Sequence, residues 1–403
     1  MEQKMSQNTK LLLVINTIRK IIDIFLGPFL TAYLFKVTVE NIKIISIYNI
    51  FSYIIVAIIS LIIGRILKNK YEMQIFRIGM ISKFFQLIIL IMLEDNIASY
   101  IWILAIISGF STETWSFPLN LFSSKMISNS EKKIFVVYKI IFNNVAKVLI
   151  PILLGTIISL KSFKTTSFII LILSFIQILL SFKLKFKREE SSNNKLSLVK
   201  EIKNIKRNKS LQSFYIIKFC KGMAYEGALD TAVTLLIIMS FKSDFTLGII
   251  TSIISVLAIL SSFIYKKISN EKKLKILLVI SCIIIFISSI LLVFKTNHYT
   301  IIIYNLIFAF FVQFIMIHEE IQGLKFTKSK IITDLNRIET YIIIEMFINA
   351  GRVVSYLLLF IVGISNSLYL LEFLIIILVL SLALEMTTLI KFSKENKNLL
   401  LLE

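Results

Sequence analysis

The sequence predicts an all-α polytopic membrane protein, with twelve transmembrane helices arranged as two pseudo-symmetric six-helix bundles. Three observations carry that expectation: an apolar composition, twelve apolar runs of bilayer length, and basic residues that alternate from one connection to the next. Of 403 residues 57% are hydrophobic, the mean hydropathy is +0.85, and only 3 prolines and 11 glycines interrupt the chain, far from the composition of a soluble domain.

A span needs about 20 apolar residues. Windows of that kind fall at 11–35, 43–64, 74–93, 98–122, 134–159, 163–182, 212–240, 245–265, 274–294, 299–323, 337–362 and 367–390. One set of connections is basic: Lys4 and Lys10; Arg65, Lys68 and Lys70; Lys125, Lys132 and Lys133; Lys266, Lys267, Lys272 and Lys273; Lys325, Lys328 and Lys330; Lys391, Lys394 and Lys397. The other set has Lys36, Lys43, Lys161, Lys164, Lys242 and Lys295, with the acidic pair Glu94 and Asp95. The excess of Lys and Arg places both termini in the cytoplasm. A missed span would have reversed the pattern after it. The net charge of +21 is therefore a topology signal and not a nucleic-acid surface. The first run lacks a small-residue cleavage site and is too long for a signal-peptide core, so it is kept as the first helix. Heavy use of Ile, Lys and Asn suggests an AT-rich bacterial genome, hence a bacterial inner membrane.

One long polar connection, 184–211, separates an N-terminal bundle (1–183) from a C-terminal bundle (212–403). Within it Leu198, Ile202 and Ile205 recur at helical spacing among Lys and Arg, which predicts an amphipathic helix on the membrane surface.

The halves repeat each other. A shift of 205 positions lays Phe142, Asn144, Lys147 and Val148 over Phe347, Asn349, Arg352 and Val353, and takes Glu113 onto His318. A shift of about 202 lays the basic turn after helix 2, GRILKNK, over YKKISNEKK after helix 8. Twelve spans, a six-plus-six repeat, a basic central linker and basic turns after helices 2 and 8 resemble the major facilitator superfamily. The turn keeps Gly64 and the basic residues of that family's pattern but lacks its Asp. The resemblance implies that helices 1, 4, 7 and 10 line a central cavity, that 2, 5, 8 and 11 flank it, and that 3, 6, 9 and 12 face outward.

Charges deep in the spans agree with that implied arrangement. They occur as Arg19 and Asp23 in helix 1, Glu113 in helix 4, Lys147 in helix 5, Lys218, Lys221, Glu226 and Asp230 in helix 7, His318 and Glu319 in helix 10, and Glu345 and Arg352 in helix 11. Each costs roughly 2.5–3.5 kcal/mol at the centre of a membrane helix, so a shared polar interior is expected. Lys83 in helix 3 has no place in this scheme, and Glu385 is expected near the cytoplasmic surface.

The candidate substrate and proton-coupling residues are Asp23, Glu113, Lys147, Lys221, Glu226, Asp230, His318, Glu345, Asn349 and Arg352. Glu345, Asn349 and Arg352 fall on one helical face. A cation beside Glu345 keeps it ionised, and withdrawing that cation lets it accept a proton. Lys147 and Arg352 can hold an anionic group. Gly222 and Gly227 permit helix 7 to bend, as helices at transporter sites do. HEEIQ at His318 lacks the second His of a zinc helix, and Cys220 and Cys282 are buried apolar residues, so no metal, cofactor or disulfide is expected. Nor is there a phosphate loop or a nucleophile elbow, which argues against an enzyme. The expectation is a monomeric secondary transporter of a small-molecule substrate, proton-coupled, with export as one possible direction and no nucleic-acid partner. The alternative is a non-transporting membrane-embedded enzyme or receptor-like protein.

Overall fold

The computed structural model describes residues 5–67, 71–126, 131–185, 197–268, 270–327, 337–365 and 367–400. Lys4, Lys68, Lys70, linker residues 186–196, Lys328 and Lys330 lie outside the described residues, as do the side chains of Lys125, Lys132, Lys133, Lys325, Lys394 and Lys397. Two compact units form: Met1–Asn193 with Lys242–Ser252, and Asn194–Phe241 with Ile253–Glu403.

In the first unit, the first crossing is α1 (Gln7–Ile24), a π-helical turn (Phe25–Phe29) and α2 (Leu30–Val37). Ser6 caps it by accepting from the Thr9 amide, satisfying one of the donors left free at a helix start. The widened turn contains Pro28. Proline has no N–H and its ring collides with the carbonyl four residues back, so a wider turn relieves both defects. Then follow α3 (Ile42–Leu67), α4 (Glu72–Leu93), a 3₁₀ turn at Glu94–Ala98, α5 (Ile101–Met126), α6 (Lys132–Leu160) and α7 (Phe163–Phe182). Small residues let these backbones approach: a Cβ on Gly79 of α4 would stand 2.6 Å from the Trp115 amide of α5, and one on Gly109 of α5 2.3 Å from the Ser52 carbonyl of α3. Such contacts are how helices associate where lipid removes the hydrophobic drive.

The second unit opens with α8 (Leu198–Arg207), followed by α9 (Lys209–Met223) and α10 (Ala228–Phe241). The two form one crossing, broken at Ala224–Gly227, where the sequence leads one to expect a bend. Ser355 Oγ accepts from the Ala228 amide at 3.0 Å, so another helix supplies the cap that the break requires. Next come α11 (Asp244–Lys267), whose first turns belong to the first unit, then α12 (Glu271–Phe294), α13 (His298–Thr327), α14 (Arg337–Ser365) and α15 (Leu368–Leu400). In the linker a helix forms at Leu198–Arg207, and its apolar positions divide: Leu198 and Ile205 pack on the core around Phe214 and Phe392, while Val199 and Ile202 are exposed.

Among the described residues ten helical segments are long and apolar enough to cross a membrane. The α1–α2 run and α5 complete the twelve, their apolarity diluted by Arg19, Lys20 and Asp23 in one and by Glu113 with its Ser and Thr neighbours in the other. Outward faces are continuous apolar stripes: Phe168, Ile172, Phe175 and Leu179 on α7, and Ile276, Ile280, Ile283, Ile287 and Leu291 on α12, are all exposed. Spacings of three and four put each set on one side of its helix, a surface stable only in lipid.

Candidate functional site

The second unit gathers a chain of polar side chains across α9, the break after it, α13 and α14. Glu345 accepts from Asn349 Nδ2 at 3.3 Å and from the Tyr341 hydroxyl. Asn349 Oδ1 accepts from Arg352 Nη1 at 3.0 Å, and Arg352 Nη2 donates to Glu226 Oε2 at 2.5 Å. Glu226 Oε1 lies 3.2 Å from Lys221 Nζ, which donates to Glu319 Oε2 at 3.0 Å; Lys218 Nζ donates to Glu319 Oε1. Three cations thus meet three carboxylates. This alternation makes the burial tolerable, because attraction in a medium of low dielectric offsets desolvation only when partners are close and hydrogen-bonded.

Local structure positions each member. Glu345, Asn349 and Arg352 share a face of α14, as their spacing requires. Glu226 sits in the break between α9 and α10, where the chain leaves the helix and carries the side chain towards Arg352. Lys218 and Lys221, one turn apart on α9, both face α13. Beside this chain Tyr225 Oη donates to Glu385 Oε1 at 3.0 Å.

Glu385, expected near the cytoplasmic surface, is fully buried within the protein, and its Oε2 has no hydrogen-bond partner among the described residues. Its helix α15 runs on past it to Leu400. Glu319 and Lys218 are also more central than their sequence positions suggest. The missing signal was tertiary: nothing in either helix alone says that they face each other.

The remaining candidates have surroundings of their own. His318 is 5% exposed and shares a hydrogen bond of 2.9 Å with Tyr265 through Nδ1. Asp230 is exposed at the start of α10. In the first unit Glu113 is buried and accepts from Ser116 Oγ at 3.2 Å, and Lys147 lies on the exposed side of α6. Asp23 accepts from Arg19 Nε at 3.0 and 3.2 Å. Lys83 is 3% exposed and donates to Gln86 Oε1 at 2.9 Å. Among the described residues no three His, Cys, Asp or Glu side chains gather as metal ligands.

Apolar helical crossings with apolar outer stripes and compensated charge held inside them define the class of protein: a multi-pass membrane protein. The chain belongs to the Major Facilitator Superfamily, whose sequence pattern matches residues 12–318. Solved structures share its fold. The nucleoside transporter NupG superposes with a TM-score of 0.71 at 13% identity, over 96% of this chain and 100% of that one. A bacterial homologue of the iron transporter ferroportin, in an inward-facing state, gives 0.65 at 11% identity over 96% and 98%. No curated protein sequence matches the chain.

Proposed function

We propose that this chain is a secondary active transporter of a small solute, coupled to protons and working by alternating access. It acts as a monomer in a bacterial cytoplasmic membrane with both termini in the cytoplasm, residues 1–183 and 212–403 forming its two halves on either side of the linker 184–211. The observation that supports this reading most is the unbroken polar chain from Glu345 to Lys218, each link within hydrogen-bond distance of the next. A proton that reaches Glu226 or Glu319 releases a cation, and that cation must find another partner. Charge arrival thereby becomes rearrangement. Glu345 and Glu385 are the groups through which protons enter: amide and hydroxyl donors hold them, and those donors tolerate both protonation states. With no nucleotide-binding segment in the sequence, an ion gradient drives the cycle; a proton crossing 100 mV provides about 2.3 kcal/mol.

The test is flux in proteoliposomes holding the purified full-length protein, with and without an imposed pH gradient, using a panel of nucleosides, amino acids, small carboxylates and divalent metal ions. At least one solute should accumulate or be expelled only when the gradient is present. Glu345→Gln should abolish gradient-driven accumulation while sparing solute exchange. A panel that neither binds nor moves would overturn the transport reading, and unchanged accumulation in Glu345→Gln would remove that residue from coupling.

A further inference from the structure

We propose that the first unit contains a binding site for the anionic oxygen group of a small solute, a carboxylate or phosphate, formed by Arg19 of α1 and Lys83 of α4 against Trp115 of α5. This rests on the transport reading only for the claim that the bound solute crosses the membrane.

Arg19 is 4% exposed and Lys83 3%. Each sits eleven or twelve residues from the start of its helix at Gln7 or Glu72, a rise of roughly 17 Å, so both lie at the same depth, well inside the apolar layer. Arg19 uses Nε on Asp23, but its Nη1 is buried with no hydrogen-bond partner among the described residues. Lys83 carries three donors and among the described residues makes one hydrogen bond, to Gln86. Gln86 is itself oriented by donating to Tyr48 at 3.3 Å, and Tyr48 donates to Ser108 at 2.9 Å. Lys83 feels the charges of both Arg19 and Asp23, while Asp23 forms its ion pair with Arg19.

That carboxylate is poorly committed. The Asp23 side chain is 44% exposed, so it holds Arg19 from the open edge while the far side of the guanidinium has no acceptor. Trp115 stands 5.2 Å from Arg19 Cζ. Its ring face stabilises the cation and supplies no oxygen. The position of the ring is fixed: it stacks on Phe76 with centroids 4.5 Å apart, and its backbone lies against Gly79, one helical turn before Lys83.

The ligand class follows from what is left over. An unused guanidinium N–H and two unused ammonium N–H bonds ask for an acceptor with at least two oxygens and a negative charge, the geometry of carboxylate or phosphate. An incoming cation meets net positive charge. A neutral solute can accept the hydrogen bonds but leaves the excess charge uncompensated. Asp23 competes with the ligand for Arg19.

The competition and the tryptophan together provide the test. The chain has 2 tryptophans, and Trp102 is half exposed, so Trp102→Phe leaves Trp115 as the sole reporter. Full-length protein in phosphatidylcholine nanodiscs would be titrated with sodium acetate and separately with sodium phosphate at constant ionic strength set by chloride, following Trp115 fluorescence. At least one oxyanion should give a saturable change where chloride gives none; which one distinguishes a carboxylate solute from a phosphorylated one. Adding Lys83→Met should weaken binding by about tenfold or more. Adding Asp23→Asn should tighten it several-fold, a gain that a packing role would not produce. Absence of a saturable response in both the parent and Asp23→Asn proteins overturns the site, as does an affinity untouched by Lys83→Met. Should Lys83→Met fail to fold, Asp23→Asn decides alone, and an equal or weaker affinity is then fatal. No gradient enters this measurement, so its failure and a failure of gradient-driven flux are separate results.

Discussion

In the second unit Glu319 lies between Lys218 and Lys221, and Glu226 between Lys221 and Arg352, so each cation meets at least one carboxylate. In the first unit Arg19 pairs with Asp23, which is half in the open, and Lys83 donates to the neutral Gln86. The difference teaches how to interpret a charge inside a membrane helix. Compensated charges resist removal, because deleting one partner strands the other. An under-compensated charge is destabilising as it stands and is relieved either by a ligand or by its own removal.

Mutations that should break or sharpen this contrast follow in order of expected effect. Glu319→Ala removes the carboxylate that two buried lysines share and should cost about 3–5 kcal/mol, seen as a large fall in the thermal unfolding midpoint in detergent. The double variant Glu319→Ala with Lys218→Met should recover part of that loss; a single variant as stable as the parent would refute the compensation argument. Gly222→Ala places a methyl 2.0 Å from the Ile348 carbonyl and should destabilise by about 1–3 kcal/mol through overpacking, measured by the same unfolding assay. Lys83→Met should move the other way, raising stability by about 1 kcal/mol or more, since an apolar chain replaces an under-compensated cation. A loss of stability there would place Lys83 in the same class as the second unit's lysines. Lys36→Met breaks a 2.6 Å pair to Asp244 whose lysine is 40% exposed and should shift stability by less than about 1 kcal/mol.

Much of this fold was legible because spans are long, strongly apolar and punctuated by alternating charge. Spacing alone placed Glu345, Asn349 and Arg352 on one face, and the paired glycines announced the break at Ala224–Gly227. What sequence could not supply was partnership across helices. Arg352 reaches Glu226 through a turn whose direction depends on the break, and Lys218 of α9 finds Glu319 of α13 although the two are 101 positions apart in the chain. Repeat correspondence was also a limited guide to environment. Asn144 and Lys147 align with Asn349 and Arg352, but Lys147 is exposed where Arg352 is largely enclosed, since burial depends on what packs opposite and not on the shared ancestry of a helix. Lys83 could not be placed for the same reason: the charges it feels, Arg19 and Asp23, come from α1.

The glycines of α9 and α14 have a mechanical consequence. A Cβ on Gly222 would strike the Ile348 carbonyl, and one on Gly351 would come within 2.1 Å of the Phe219 carbonyl, so the two backbones touch on both sides of the contact like a splinted joint. Sliding one past the other would drive carbonyl into carbonyl. Lys221 and Arg352 are therefore carried on two helices whose backbones are in direct contact. Their carboxylates come from other segments: Glu319 from α13 and Glu226 from the break.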